Sequence, residues 1–181
     1  MRSRFGLFVQ RYLVAIAGVV VLSITAGCQD VAVQSEDWKQ NQISTLYQGY
    51  IREFPQVKGI NVQRLQQLQQ QGEELVLVDV RSPKEMAVSV IPGAITQQEF
   101  EANLEQYKSS TIVAYCTIGY RSGKYADRWR QQGIEIFNLE GSLLAWSHIK
   151  GKLVNAQGIT NKVHVFGRQW QLTADDYQPI W

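Results

Sequence analysis

Residues 111–122, Thr-Ile-Val-Ala-Tyr-Cys-Thr-Ile-Gly-Tyr-Arg-Ser, restrict the fold more than any other stretch of the chain. The apolar run Ile112–Tyr115 stops abruptly at Cys116, Gly119, Arg121 and Ser122 follow, and Lys124–Gln132 has helical character. A strand buried on both faces, then a tight loop, then a helix start is a pattern of parallel-sheet α/β folds. It puts Cys116 at the carboxyl end of a strand, against the N–H groups of the loop and the N-terminus of the next helix. Both favour negative charge and lower a thiol's pKa. The stretch therefore reads as the setting of a nucleophilic cysteine.

The flanking sequence supports an alternating α/β order. Leu75–Val80 is a second continuous apolar run, ending in Asp79 and Arg81. Ser82 is an N-cap and Pro83 a first helical residue for a turn through Met86. Val57–Val62 reads as an edge strand, Val62–Gln71 as a helix closed by Gly72, and Ala94–Thr96 as a brief strand. Gln97–Lys108 reads as a helix, Ile134–Leu139 as a strand, and Glu140-Gly141-Ser142 as a turn into a helix holding Trp146. Trp38, Ile43, Leu46, Tyr47, Tyr50 and Ile51 recur at helical spacing before Phe54-Pro55, giving a membrane-proximal helix or one packed on the domain. After residue 150 the rhythm changes: Val163–Arg168 reads as a strand, with Trp170–Leu172 as a hairpin arm and Tyr177–Trp181 tucking its aromatics onto the domain. The expected fold is a mainly parallel sheet flanked by helices, with an N-terminal helix and a β-rich C-terminal extension.

The first 27 residues have the order of a secretory signal: Arg2, Arg4 and Arg11, then the apolar stretch Tyr12–Thr25, then Ala26-Gly27-Cys28. That stretch is shorter than the ~20 residues of a spanning helix. It resembles a bacterial lipoprotein signal, which implies lipidation at Cys28 and an exported protein held at a membrane, on its periplasmic or extracellular face. Removing it leaves 15 basic and 16 acidic side chains, with no Lys/Arg cluster to bind nucleic acid. With Cys28 lipidated, Cys116 has no partner for a disulfide, and a lone thiol in an oxidising setting is a liability unless it is buried or used. Neither His148 nor His164 has a ligand-spaced neighbour, and no coenzyme or phosphate-binding motif occurs, so neither a metal nor a cofactor is expected.

Asp79-Val80-Arg81, Ile91-Pro92-Gly93-Ala94, the loop Cys116–Ser122, and Leu139-Glu140-Gly141 followed by Ala145-Trp146 together resemble the rhodanese family, in the family's order. The resemblance covers roughly residues 57–150, leaving 1–27 as signal, 28–56 as spacer helix and 151–181 as extension. It implies that Cys116 takes a sulfane sulfur from a small donor (thiosulfate, polysulfide or persulfide) and passes it as a persulfide to a thiol or cyanide acceptor. Backbone N–H groups across Thr117, Ile118, Gly119, Tyr120, Arg121 and Ser122 would hold the sulfur. Arg121 would bind an anionic donor, or brace the loop through Asp79 or Glu140. Arg81 and Glu85 would form a supporting pair, and Asp79 would orient the loop.

The chain departs from the family pattern at Ser89-Val90, where Gly-His is common, and at the uncharged Thr117 and Ile118, which leave the donor open. Two other functions compete. Fold relatives that hydrolyse phosphoesters or reduce arsenate place the loop Arg one position further from the Cys than the five found here. A non-catalytic binding module, with a protein partner on the N-terminal helix or the extension, usually lacks the cysteine. The apolar Val88–Ile91 reads as a partner surface or as core.

Overall fold

The computed structural model describes the backbone of residues 27–181 and the side chains of residues 36–181. The expected signal segment and the side chain of Cys28 lie outside the described residues.

Five short strands form one sheet in the order β1-β5-β4-β2-β3, with every pair parallel. They are β1 (Gly59–Ile60), β2 (Leu75–Asp79), β3 (Ile95–Thr96), β4 (Thr111–Tyr115) and β5 (Phe137–Leu139). The helices are α1 (Gly27–Ile51), α2 (Val62–Gln71), α3 (Pro83–Val88), α4 (Gln97–Ala102), α5 (Tyr120–Arg130) and α6 (Ser142–His148). Period-two alternation along β4 sends Val113 and Tyr115 into one core, with Leu65, Leu143 and Leu144. Ile112, Ala114 and Cys116 enter the other, with Phe100, Tyr125 and Trp129. Because both faces are covered, β2 and β4 are unbroken apolar runs.

Local chemistry fixes the helix ends. Asn61 caps α2, and Gly72 closes it at φ 68°. Ser82 and Glu85 form a reciprocal capping box on α3, and Thr96 and Glu99 form one on α4. The helix expected over 97–108 ends at Ala102, and Leu104–Tyr107 continues as a 3₁₀ turn.

The N-terminal helix is packed, since Ile43 lies in the core and Tyr47 is buried. Trp38, at 57 % exposed, faces away from it. The extension differs from the expected hairpin. β6 (Leu153–Asn155) and β7 (Gly158–Thr160) form the antiparallel pair, whereas β8 (Lys162–His164) runs parallel to β9 (Gln178–Ile180). Residues 168–170 are a 3₁₀ turn. Val163, Val165 and Leu172 lie in the domain's own core. Tyr177 packs there too and donates to the Gly151 carbonyl, but Trp181 is 58 % exposed. The apolar approach to Ile91 is core only at its end: Ile91 is fully buried, whereas Val88 and Val90 are half-buried and Val90 bridges to Val154 of β6.

Candidate active site

Strand register assembles the site. Residues Leu75–Asp79 pair one-for-one with Thr111–Tyr115, so β2 and β4 end level. The Val80 N–H donates to the Tyr115 carbonyl at 3.0 Å, seating the turn after β2 beside the Cys116 loop. This is the carboxyl edge of the sheet, where α/β folds bind ligands.

The loop wraps the sulfur. The Gly119 N–H donates to Cys116 Sγ at 3.1 Å, and the Ser122 hydroxyl lies 3.6 Å from it. Burial pushes the thiol up. The hydroxyl and backbone N–H of Ser122, the charge of Arg121 and the Gly119 N–H outweigh burial and hold it below its ordinary value. Cys116 is 2 % exposed, so the sulfur sits at the bottom of its loop.

A shell behind the loop, not evident in the sequence, holds its backbone. Asn138 of β5, fully buried, donates to the Gly119 carbonyl at 2.9 Å and accepts from Ser122 Oγ at 2.7 Å. Ser142, at φ 47°, accepts the Cys116 N–H at 3.1 Å, and its hydroxyl donates to the Leu139 carbonyl at 3.1 Å. The N–H groups of Leu143 and Leu144 donate to the carbonyls of Cys116 and Thr117. A polar Asn inside the run Ile-Phe-Asn-Leu was the available signal for the first of these, because a buried amide must find partners.

Gly119 has φ 110°, open to glycine at little cost. A Cβ there would fall 2.6 and 2.8 Å from Tyr47 Cδ2 and Cε2. Gly119→Ala is therefore expected to destabilise the fold by about 1–3 kcal/mol and to displace the N–H that faces the sulfur. Urea midpoints together with the alkylation rate of Cys116 would measure both. Tyr47→Ala in the same chain should recover the steric part only.

The charged residues pair differently from expectation. Arg81 pairs with Asp79, not Glu85: Arg81 Nη2 to Asp79 Oδ2 is 2.6 Å, and Arg81 Nε to Asp79 Oδ1 is 2.9 Å. Both side chains are wholly buried, and Arg81 Nη2 also donates to the Ser89 carbonyl at 2.5 Å. Asp79 thus orients Arg81, and the two tie the turn after β2 to the end of α3. Glu85 instead takes Arg121, with Nη1 to Oε2 at 2.9 Å and Nη2 to Oε1 at 2.7 Å. Burial pushes the Glu85 carboxyl up, but Arg121 and the Ser82 cap bring it down to about 2. Arg121 therefore braces the loop against α3, through neither Asp79 nor Glu140, and reaches Thr117 Oγ1 at 3.4 Å. Glu140 packs against the backbone of Gly59, at the β1 edge of the sheet. Thr117 and Ile118 are buried beneath the loop. Tyr120 packs outward on Tyr50 and Phe54. His148 Nε2 is bonded to the Leu172 carbonyl, and His164 lies edge-on to Phe166. Among the described residues no His, Cys, Asp and Glu group is arranged to hold a metal.

Comparison with known proteins agrees with this geometry. The family model for the rhodanese-like domain matches residues 61–149. "Putative sulfurtransferase YtwF" of Bacillus subtilis is 32% identical over 94 residues, half of this chain and 91% of its own. The chain belongs to the rhodanese-like family. A "Sulfurtransferase" of Allochromatium vinosum is 31% identical over 106 residues, 56% of this chain and 99% of its own. Thiosulfate sulfurtransferase from Pseudomonas aeruginosa superposes with a TM-score of 0.52 at 18% identity, over 64% of this chain and 23% of that one, which bears on fold alone. The rhodanese-like segment thus runs from the cap of α2 to the end of α6, and the extension beyond residue 150 lies outside it.

Proposed function

We propose that this rhodanese-like protein is a sulfurtransferase that carries sulfur as a persulfide on Cys116, exported and tethered to a membrane through a lipid on Cys28. The observation that carries the sulfur chemistry is the Gly119 N–H aimed at Cys116 Sγ from 3.1 Å, at the start of α5 and next to Ser122. The thiolate attacks the outer sulfur of a donor R–S–SH. The S–S bond breaks, and its electron pair leaves with R–S⁻, so Cys116–S–SH forms without any external oxidant. Fixed N–H groups around the terminal sulfur stabilise its negative charge with no rearrangement. An acceptor thiolate then attacks that sulfur, forming its own persulfide and releasing the Cys116 thiolate. The export reading is supported by Arg2, Arg4, Arg11, the apolar stretch after them and the small residues before Cys28.

Intact-mass measurement after exposure to thiosulfate, polysulfide or an organic persulfide tests the proposal. One added sulfur atom, localised to Cys116, is the expected result. No uptake from any donor, with the thiol still open to alkylation, would refute it. The mass of the native protein separately reports signal cleavage and lipid.

Sulfur uptake should also rise with pH to a plateau whose midpoint lies below the roughly 8.5 of a free cysteine. Arg121→Gln should move that midpoint upward, since the guanidinium charge beside Cys116 helps hold the thiol below its ordinary value. Stopped-flow loading at a series of pH values would show it.

A further inference from the structure

The C-terminal extension returns to the pocket. β8 packs against α3, and the chain then places Phe166 with its ring centroid 4.9 Å from Arg121 Cζ. The Phe166 ring lies edge-on to His164 at 6.1 Å and to Trp170 at 6.4 Å, while the residue stays 51 % exposed. Arg121 is thus held from two sides. Glu85 occupies both terminal nitrogens of the guanidinium, and Phe166 covers a face. The wholly buried cation of the site, Arg81, is already matched by Asp79, whereas Arg121 is half-buried.

We propose that Phe166 is a positioning residue that keeps Arg121 on Glu85, and that the pocket consequently favours an organic persulfide over dianionic thiosulfate as sulfur donor. This rests on the reading of Cys116 as the sulfur carrier. A thiosulfate dianion is held best by a cation not already matched by a carboxylate, and Arg121 can offer its two terminal nitrogens only by leaving Glu85. Leaving Glu85 also breaks the stack on Phe166. Lys84, exposed on α3, is screened by solvent and does not replace it. A persulfide reacts as R–S–SH, brings no second charge, and is slender enough at its sulfur end for a nucleophile 2 % exposed. Its S–S bond breaks as in the step above, with the electron pair leaving on R–S⁻.

The test is turnover by the full chain with thiosulfate or 2-hydroxyethyl persulfide as donor and cyanide as the acceptor that removes the sulfur as thiocyanate, with kcat and KM measured for each donor. Phe166→Ala and Phe166→Leu should lower the persulfide-to-thiosulfate ratio of kcat/KM by about threefold, through a lower KM for thiosulfate. Phe166→Tyr keeps a ring over the guanidinium and should retain the wild-type ratio. An unchanged ratio in the Ala and Leu variants, or a fall in the Tyr variant equal to theirs, overturns the proposal while leaving Cys116 as carrier. Failure of the wild-type protein to take sulfur from either donor overturns both readings.

Discussion

Cys116→Ser is expected to abolish sulfur uptake, lowering it by at least about a thousandfold, while the domain stays folded. An alcohol in the same place is almost fully protonated near neutral pH, and its oxygen cannot form the S–S bond that stores the transferred atom. The substitution is sterically mild. The new hydroxyl would find the Gly119 N–H, 3.1 Å from the present sulfur, so a buried polar atom is not left without a partner. Circular dichroism should therefore report a native fold with a stability loss of about 1 kcal/mol. Mass spectrometry should find no added sulfur at position 116. Uptake retained in this variant would place the carrier elsewhere.

The largest effect on stability is expected from Asp79→Asn. The carboxylate is fully buried, meets the Arg81 guanidinium through three contacts at 2.6, 2.9 and 3.2 Å, and accepts the Arg81 backbone N–H at 3.0 Å. Neutralising it strands a guanidinium with no exposed surface, at a cost of about 3–5 kcal/mol. Against a total stability of roughly 5–15 kcal/mol, that is a large share. The melting temperature should fall by roughly 10 °C. Arg81→Met combined with Asp79→Leu should recover much of the loss, because the pair then disappears as a unit. Thermal unfolding of both variants decides the matter; a drop below about 1 kcal/mol in the single variant would mean that the buried charge finds another partner.

How far each residue could be placed from the sequence follows the range of the interaction that places it. Cys116, Gly119 and the start of α5 were legible because strand, loop and helix are adjacent in the chain. The cap at Ser82 was legible for the same reason. The partners of Arg81, Glu85 and Arg121 were not. Arg81 has acidic residues at 79 and 85 on either side, and local spacing does not choose between them. Once Arg121 arrives from 36 residues away to take Glu85, Arg81 is left to Asp79. Asn138, Ser142 and Tyr47 were missed because each meets the loop across the sheet edge or from a separate helix. The strand at 162–164 is legible as a strand, but apolar alternation does not name a partner, and the expected hairpin with 170–172 gives way to parallel pairing with residues 178–180.

By itself, the sequence determined the α/β order, the two strands buried on both faces, the helix caps and the loop that ends in Arg121 and Ser122. These follow from periodicity and turn chemistry, which act over a few residues. The tertiary structure alone decided which carboxylate meets which guanidinium, which side chains hold the cysteine loop from behind, and that Phe166 of the extension stacks on Arg121. The physical reason is that charge pairing, desolvation and stacking act only over distances of a few ångströms, and strand register and helix packing set those distances.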